Sequence, residues 1–162
     1  MLFRSVVVHA DFADQRLYRL ERGAAPVAIT PEPPAPRSLR YADGAFSPDG
    51  RWMVWVRERH GDDGIDNELV RLPVDGSAAP VAIASGHDFY STPRFSPDGT
   101  RLAFLAWDQP NMPWDGTEVL VADVRADGSL GEPRVVAGAE RARRGTHGIV
   151  GGQSGSIEAG HP

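Results

Sequence analysis

Serine, histidine and the carboxylates are the residues in this chain able to do chemistry, and only two stretches space them suggestively. Gly152-Gln153-Ser154-Gly155-Ser156, with His161 beyond it, approaches the Gly-x-Ser-x-Gly turn that exposes a nucleophilic serine beside its oxyanion donors. Ser156 stands where the last glycine is required, and no apolar strand precedes the stretch. It reads as chance composition of a Gly-rich tail, and nothing near His161 would hold its imidazole in place. The acidic stretch Asp62-Asp63-Gly64-Ile65-Asp66-Asn67-Glu68 invites a calcium reading. Its spacing fails the loop that needs oxygen ligands at positions 1, 3 and 5 with glycine at 6, so it reads as a solvated inter-strand loop. The five histidines, at 9, 60, 87, 147 and 161, show no His-x-x-x-His spacing, and there is no cysteine. Disulfides, Cys-ligated zinc and thiol catalysis are excluded, and no catalytic residue, metal or cofactor is indicated.

The elements that would carry any site are written in a repeat. Phe46-Ser47-Pro48-Asp49-Gly50 returns 49 residues later as Phe95-Ser96-Pro97-Asp98-Gly99. Each copy is followed by an apolar run, a polar loop, and a second apolar run: Glu68 to Leu72, then Glu118 to Ala122. A turn and a third run follow, Pro80 to Ala84 and Pro133 to Ala137. Ser-Pro-Asp-Gly suits a type I turn, with Pro pre-setting φ at its second position. Val74-Asp75-Gly76-Ser77 and Ala126-Asp127-Gly128-Ser129 carry the Asp-Gly pair of tight hairpins. Leu102, Phe104 and Ala106 alternate with Ala103, Leu105 and Trp107, so both strand faces are apolar and the strand is expected between two layers.

A four-stranded antiparallel meander repeated at this period is the sequence pattern of a β-propeller blade. The expected fold is all-β: a partial β-propeller of about two and a half four-stranded antiparallel blades. Residues 1–40 hold the latter strands of an earlier blade (Ser5 to His9, Arg16 to Leu20, Pro26 to Thr30) and a Pro-rich linker. Residues 41–88 and 89–138 are one blade each, and residues 139–162 are expected to be a disordered C-terminal tail. The period calls for another Phe-Ser-Pro-Asp-Gly near residue 144, where Arg144-Gly145-Thr146-His147 stands. That break is expected of a truncated or out-of-frame ending of a longer coding region.

Composition bounds the partners. The chain has 162 residues, 41% of them hydrophobic, with 17 Lys+Arg against 22 Asp+Glu for a net charge of −5. This is the composition of a soluble globular protein, and its acidic balance argues against a nucleic acid or an anionic membrane as partner. The longest apolar run near the start is Val6-Val7-Val8, too short for a signal peptide or a membrane span, so a cytoplasmic location is expected.

Two longer stretches, Asp88-Phe89-Tyr90-Ser91-Thr92-Pro93-Arg94 and Trp107-Asp108-Gln109-Pro110-Asn111-Met112-Pro113-Trp114-Asp115-Gly116-Thr117-Glu118, resemble the N-terminal propeller of the prolyl oligopeptidase family of serine peptidases. The acylaminoacyl-peptidase and dipeptidyl-aminopeptidase branch is the nearest in pattern, and the resemblance covers residues 6 to 137. It implies a propeller that gates an α/β-hydrolase domain and positions peptide substrates; that catalytic domain is missing from this chain. Gln109 departs from the family, which is expected to carry histidine there.

In a meander the loops from Arg57 to Asn67, His87 to Tyr90 and Asp108 to Thr117 leave one end of the blades, away from the Ser-Pro-Asp-Gly turns. The candidate interface loop is therefore Trp107, Asp108, Asn111, Met112, Trp114 and Asp115, set against the plainer reading of a loop folded back on its own blade. The functional expectation is a gating and substrate-positioning propeller fragment. The alternative is a stand-alone propeller-type protein-binding module, and self-association through exposed blade edges is expected of either.

Overall fold

The structure is a computed structural model that describes residues 2–3 and 6–138. The tail from residue 139, with Ser154 and His161, lies outside the described residues. Twelve strands form three antiparallel sheets, each a four-stranded meander in chain order. The first holds β1 (Leu2–Phe3), β2 (Val6–Ala10), β3 (Leu17–Glu21) and β4 (Val27–Ala28). The second holds β5 (Leu39–Phe46), β6 (Trp52–Gly61), β7 (Gly64–Pro73) and β8 (Val81–Ser85), and the third β9 (Phe89–Phe95), β10 (Arg101–Trp107), β11 (Glu118–Asp123) and β12 (Arg134–Ala137). This is the partial propeller expected. The first sheet gains a two-residue fourth strand, too short to leave a periodic trace in the sequence.

The Ser-Pro-Asp-Gly turns are built alike in both copies. Gly50 N donates to Ser47 O at 2.9 Å, and Gly99 N to Ser96 O at 2.8 Å. The Ser47 hydroxyl donates to Asp49 Oδ1 at 2.7 Å and accepts from Trp52 N at 3.0 Å; Ser96 repeats both contacts with Asp98 Oδ1 at 2.5 Å and Arg101 N at 3.0 Å. The glycines close the turns at φ 74° and 72°, where a Cβ is strained. Ser47's hydroxyl and the Arg51 amide and guanidinium lower the Asp49 carboxyl to about 2. Ser96 and Thr100 do the same to Asp98, also to about 2.

Cross-strand pairing corrects one expectation. Arg57 to Asn67 is not a loop: β6 and β7 stay in register as far as Gly61 and Gly64, leaving only Asp62 and Asp63 to turn the chain. Apolar alternation stops at Val56, but opposite charges face each other at Arg57–Glu68 and Arg59–Asp66 and extend the ladder.

Two clusters of buried side chains hold the sheets face to face. Val8 and Leu17 of the first sheet pack with Met53, Trp55, Val70 and Leu72 of the second. Val54, Val56 and Leu69 pack on Leu102, Phe104, Ala106 and Leu120 of the third. The middle sheet is thus buried on both faces, as the alternating residues of β6 require. On β10 the expectation of two buried faces holds for one: Leu102, Phe104 and Ala106 are buried, whereas Ala103, Leu105 and Trp107 are half-buried.

The first strands of the second and third sheets lie against each other, and both are bulged. Asp43 (φ 50°) and Thr92 (φ 53°) are the left-handed residues at equivalent bulges, and the Asp43 carboxylate accepts a hydrogen bond from Thr92 N. Arg94 lies 3.8 Å from the same carboxylate. Beside it, Gly44 lets the Trp55 ring approach: a Cβ there would sit 2.4 Å from Trp55 Cε2. Among the described residues no helix is long and apolar enough to cross a membrane.

Two measurements follow. Asp49 and Asp98 are depressed in the folded chain relative to an unfolded aspartate near 3.9, so their stabilisation is complete above about pH 4 and is lost as pH falls toward 2. Urea midpoints between pH 5 and pH 2 should fall less steeply for the double variant Asp49→Asn/Asp98→Asn than for the unaltered chain. Gly44→Ala should cost about 1–3 kcal/mol, because the Trp55 ring must move within a packed core; an unchanged melting temperature would remove that account.

Candidate functional site

The end of the sheets opposite the Ser-Pro-Asp-Gly turns carries a ten-residue connection, residues 108–117 between β10 and β11. Asn111 N returns to Asp108 O at 3.0 Å, the Gln109–Pro110 bond is cis, and a single helical turn, α1 (Pro113–Gly116), follows. Asp115 N bonds Met112 O at 2.9 Å, and Thr117 Oγ1 donates to Pro113 O. Gly116 is required by close approach, since a Cβ there would lie 2.7 Å from Asn111 Cγ.

The structure divides the six residues singled out in the sequence. Trp107 and Asp108 are at the base of the loop. Trp107 stacks on Phe89 with centroids 5.2 Å apart and planes 14° apart. Asn111 braces the α1 turn from inside. Met112, Trp114 and Asp115 form its tip, with Trp114 73% and Met112 48% exposed. Two large apolar side chains on one tight turn, held outward by polar bonds behind them, present a surface rather than a core.

What fixes the base is a reciprocal clasp that sequence reading missed. Asp108 Oδ1 accepts from Asp88 N at 2.8 Å and Asp108 Oδ2 lies 3.0 Å from His87 Nδ1. Asp88 Oδ2 in turn accepts from Gln109 N at 2.8 Å, and Asn67 Nδ2 donates to Asp88 O at 2.6 Å. His87 N donates to the buried Tyr90 hydroxyl at 3.2 Å. The loop from 108 is thereby tied to the link between the second and third sheets. Partial burial raises the Asp108 carboxyl, but the Asp88 amide and His87 outweigh it and leave it lowered. The one trace in the sequence was an aspartate beside an aromatic residue on each side of the pair, Asp88-Phe89 and Trp107-Asp108. Gln109 acts here through its backbone amide, which histidine would supply equally.

Beneath the clasp, Glu68 is only 5% exposed and its Oε1 receives Arg57 Nη2 at 2.7 Å, Arg57 Nε at 2.8 Å and Arg59 Nη2 at 3.0 Å. The Glu68 carboxylate raises Arg59 above its ordinary value. Arg59, Asn67, Ser85 and His87 border a shallow cleft of about 300 Å³ whose wall also carries the carboxylates of Asp66, Glu68 and Asp88. His87 with Asp108 has the form of an oriented imidazole, yet no hydroxyl bonds its other ring nitrogen among the described residues. It acts as a clasp. Among the described residues no group of three or more His, Asp or Glu stands together where a metal could be held.

Comparison with known proteins gives one consistent likeness. A puromycin-hydrolysing peptidase of Mycobacterium tuberculosis matches 87% of this chain at 40% identity with a TM-score of 0.78. A puromycin hydrolase matches 84% at 35% identity with a TM-score of 0.75. This chain spans 23% and 22% of those proteins, about a fifth of their length. A tricorn protease homologue of Streptomyces coelicolor is 34% identical over 65 residues, 40% of this chain and 6% of that protein. No family model matches the chain.

Asp108→Ala removes two acceptors, one of them on a backbone amide. At this half-exposed site the cost should be about 1 kcal/mol. The informative reading is local: limited proteolysis should cut within residues 108–117 faster than in the unaltered chain, and equal rates would show that the clasp does not order the loop.

Proposed function

We propose that this chain, a β-propeller segment of the prolyl oligopeptidase family of serine peptidases, governs the access of peptides to a catalytic domain and is not itself the catalyst. The likeness to the two puromycin-hydrolysing enzymes over most of the chain, against about a fifth of theirs, carries this reading. The proposed partner is an α/β-hydrolase domain, and the proposed substrates are short peptides and aminoacyl amides. The proposed location is the cytoplasm.

The clasped end is the surface proposed to face that partner. Trp107, Asp108 and Asn111 hold the loop, and Met112, Trp114 and Asp115 make the contact. An exposed tryptophan and methionine on an ordered turn are the residue types that anchor protein interfaces, where a few side chains carry most of the energy.

A chimera tests the proposal. Residues 6–138 of this chain would replace the corresponding segment of the Mycobacterium tuberculosis puromycin-hydrolysing peptidase, and hydrolysis of puromycin would be followed. The chimera is expected to hydrolyse puromycin, and the 162-residue chain alone to leave it intact. Met112→Ala with Trp114→Ala in the chimera should lower kcat/KM by about tenfold or more, near 1.4 kcal/mol. A folded chimera without activity would overturn the gating role. An active chimera indifferent to both substitutions would remove the interface.

A further inference from the structure

At the opposite end, between the second and third sheets, is a cleft of about 220 Å³ that the peptidase reading does not use. The Arg71 guanidinium lies over the Trp52 ring, 4.6 Å from its centroid. Its Nε is buried without a hydrogen-bond partner, and Arg71 forms no ion pair among the described residues. Stacking uses the face of a guanidinium and leaves its N–H edge, which is the edge that grips a carboxylate with two parallel bonds. Nε itself is covered by the turn at Gly128, so the edge open to an external acceptor is the outer one, formed by the two terminal nitrogens.

The other charged groups on the wall are accounted for. Arg51 Nε is taken by Asp49 at 2.6 Å, and Arg125 donates to Leu130 O. Asp49 and Asp98 accept from hydroxyl and amide donors of their own turns. Asp127, on the turn that packs against Arg71, is held by Ser129 N at 2.9 Å and Ser129 Oγ at 2.7 Å. Three guanidiniums and two carboxylates line the cleft, leaving one positive charge in excess. The wall also carries apolar side chains: Ile83, Phe95 and Leu130. With each water's share near 30 Å³, the space suits a ligand of about seven to ten heavy atoms.

We propose that the cleft between the second and third sheets binds a small monocarboxylate bearing an apolar ring or chain, its carboxylate on the edge of Arg71 and its apolar part against Ile83, Phe95 and Leu130. The repeat underlines the point. Arg19 stands opposite Val8 as Arg71 stands opposite Val54, and its Nε is likewise buried without a partner, but its Nη2 is taken by Glu21 at 2.5 Å. Arg71 makes no such ion pair among the described residues; the carboxylate that interacts with it is Asp127, whose carboxyl is lowered by Ser129 and to a lesser degree by Arg71.

Benzoate and its neutral isostere benzamide test this on the 162-residue chain, read from the four tryptophan indole N–H resonances. Benzoate should move the Trp52 resonance saturably, and benzamide should not. Arg71→Met should weaken the benzoate response by about tenfold or more, with Arg71→Lys between the two. Equal responses to benzoate and benzamide, an undiminished response in Arg71→Met, or no saturable Trp52 shift would each overturn the site. If Arg71→Met fails to fold, the acid–amide comparison on the unaltered chain still decides.

Discussion

A four-stranded sheet of this composition cannot bury both apolar faces within itself, and the rest of the structure depends on that constraint. Along β6, Met53 and Trp55 go to one neighbouring sheet while Val54 and Val56 go to the other. The middle sheet therefore has no solvent face. Each neighbour supplies one wall, and the stability of any one sheet is inseparable from the next. Apolar burial of this kind is non-directional and would tolerate sliding, so the stack needs polar contacts to set how the sheets lie on each other.

Those contacts are supplied at the inner strands and at the end that carries the 108–117 loop. The Asp43 carboxylate on Thr92 N joins two bulges at equivalent places in adjacent sheets, and Arg94 balances the charge. Bulges stop pairing locally and re-aim side chains. Here they turn a carboxylate of one sheet onto a backbone amide of the next. The turns at the Ser-Pro-Asp-Gly end satisfy themselves internally, which keeps that end rigid without borrowing donors from neighbours. At the outer edges β4, β8 and β12 follow Pro26, Pro80 or Pro133 and leave Val27, Val81 and Val135 exposed. A proline cannot donate to a new strand, so the edges are blunted where the apolar side chains would otherwise invite pairing.

How much of this was legible in the sequence follows from the range of each interaction. Local chemistry was readable: the serine, proline, aspartate and glycine of each turn interact within five residues, and the repeat shows them twice. The meander and the all-β class came with them. Less was visible where charge replaced apolar alternation, as in Arg57 to Asn67, because a charged ladder and a solvated loop have the same composition. Only the pairing partners, Arg57 with Glu68 and Arg59 with Asp66, tell them apart. The His87–Asp108 clasp spans 21 residues and depends on two connections reaching the same end of adjacent strands. No local pattern encodes that distance. The exposed tip at Met112 and Trp114 was legible as residue types, whereas its outward posture depends on Asn111 and Gly116 packing behind it.

The two ends of the stack thus differ in kind. At the Ser-Pro-Asp-Gly end nearly every polar group is spent on its own turn, and the departures are Arg19 and Arg71, whose Nε atoms meet no acceptor. At the other end the polar groups are shared between connections: Asn67 with Asp88, Asp88 with Gln109, Asp108 with His87. Shared bonds couple the posture of the 108–117 loop to the link between sheets, so a shift of one sheet against the next would be felt at Met112 and Trp114. Such a surface suits the gating role proposed above. The turns opposite, bonded within themselves, carry no such coupling between sheets.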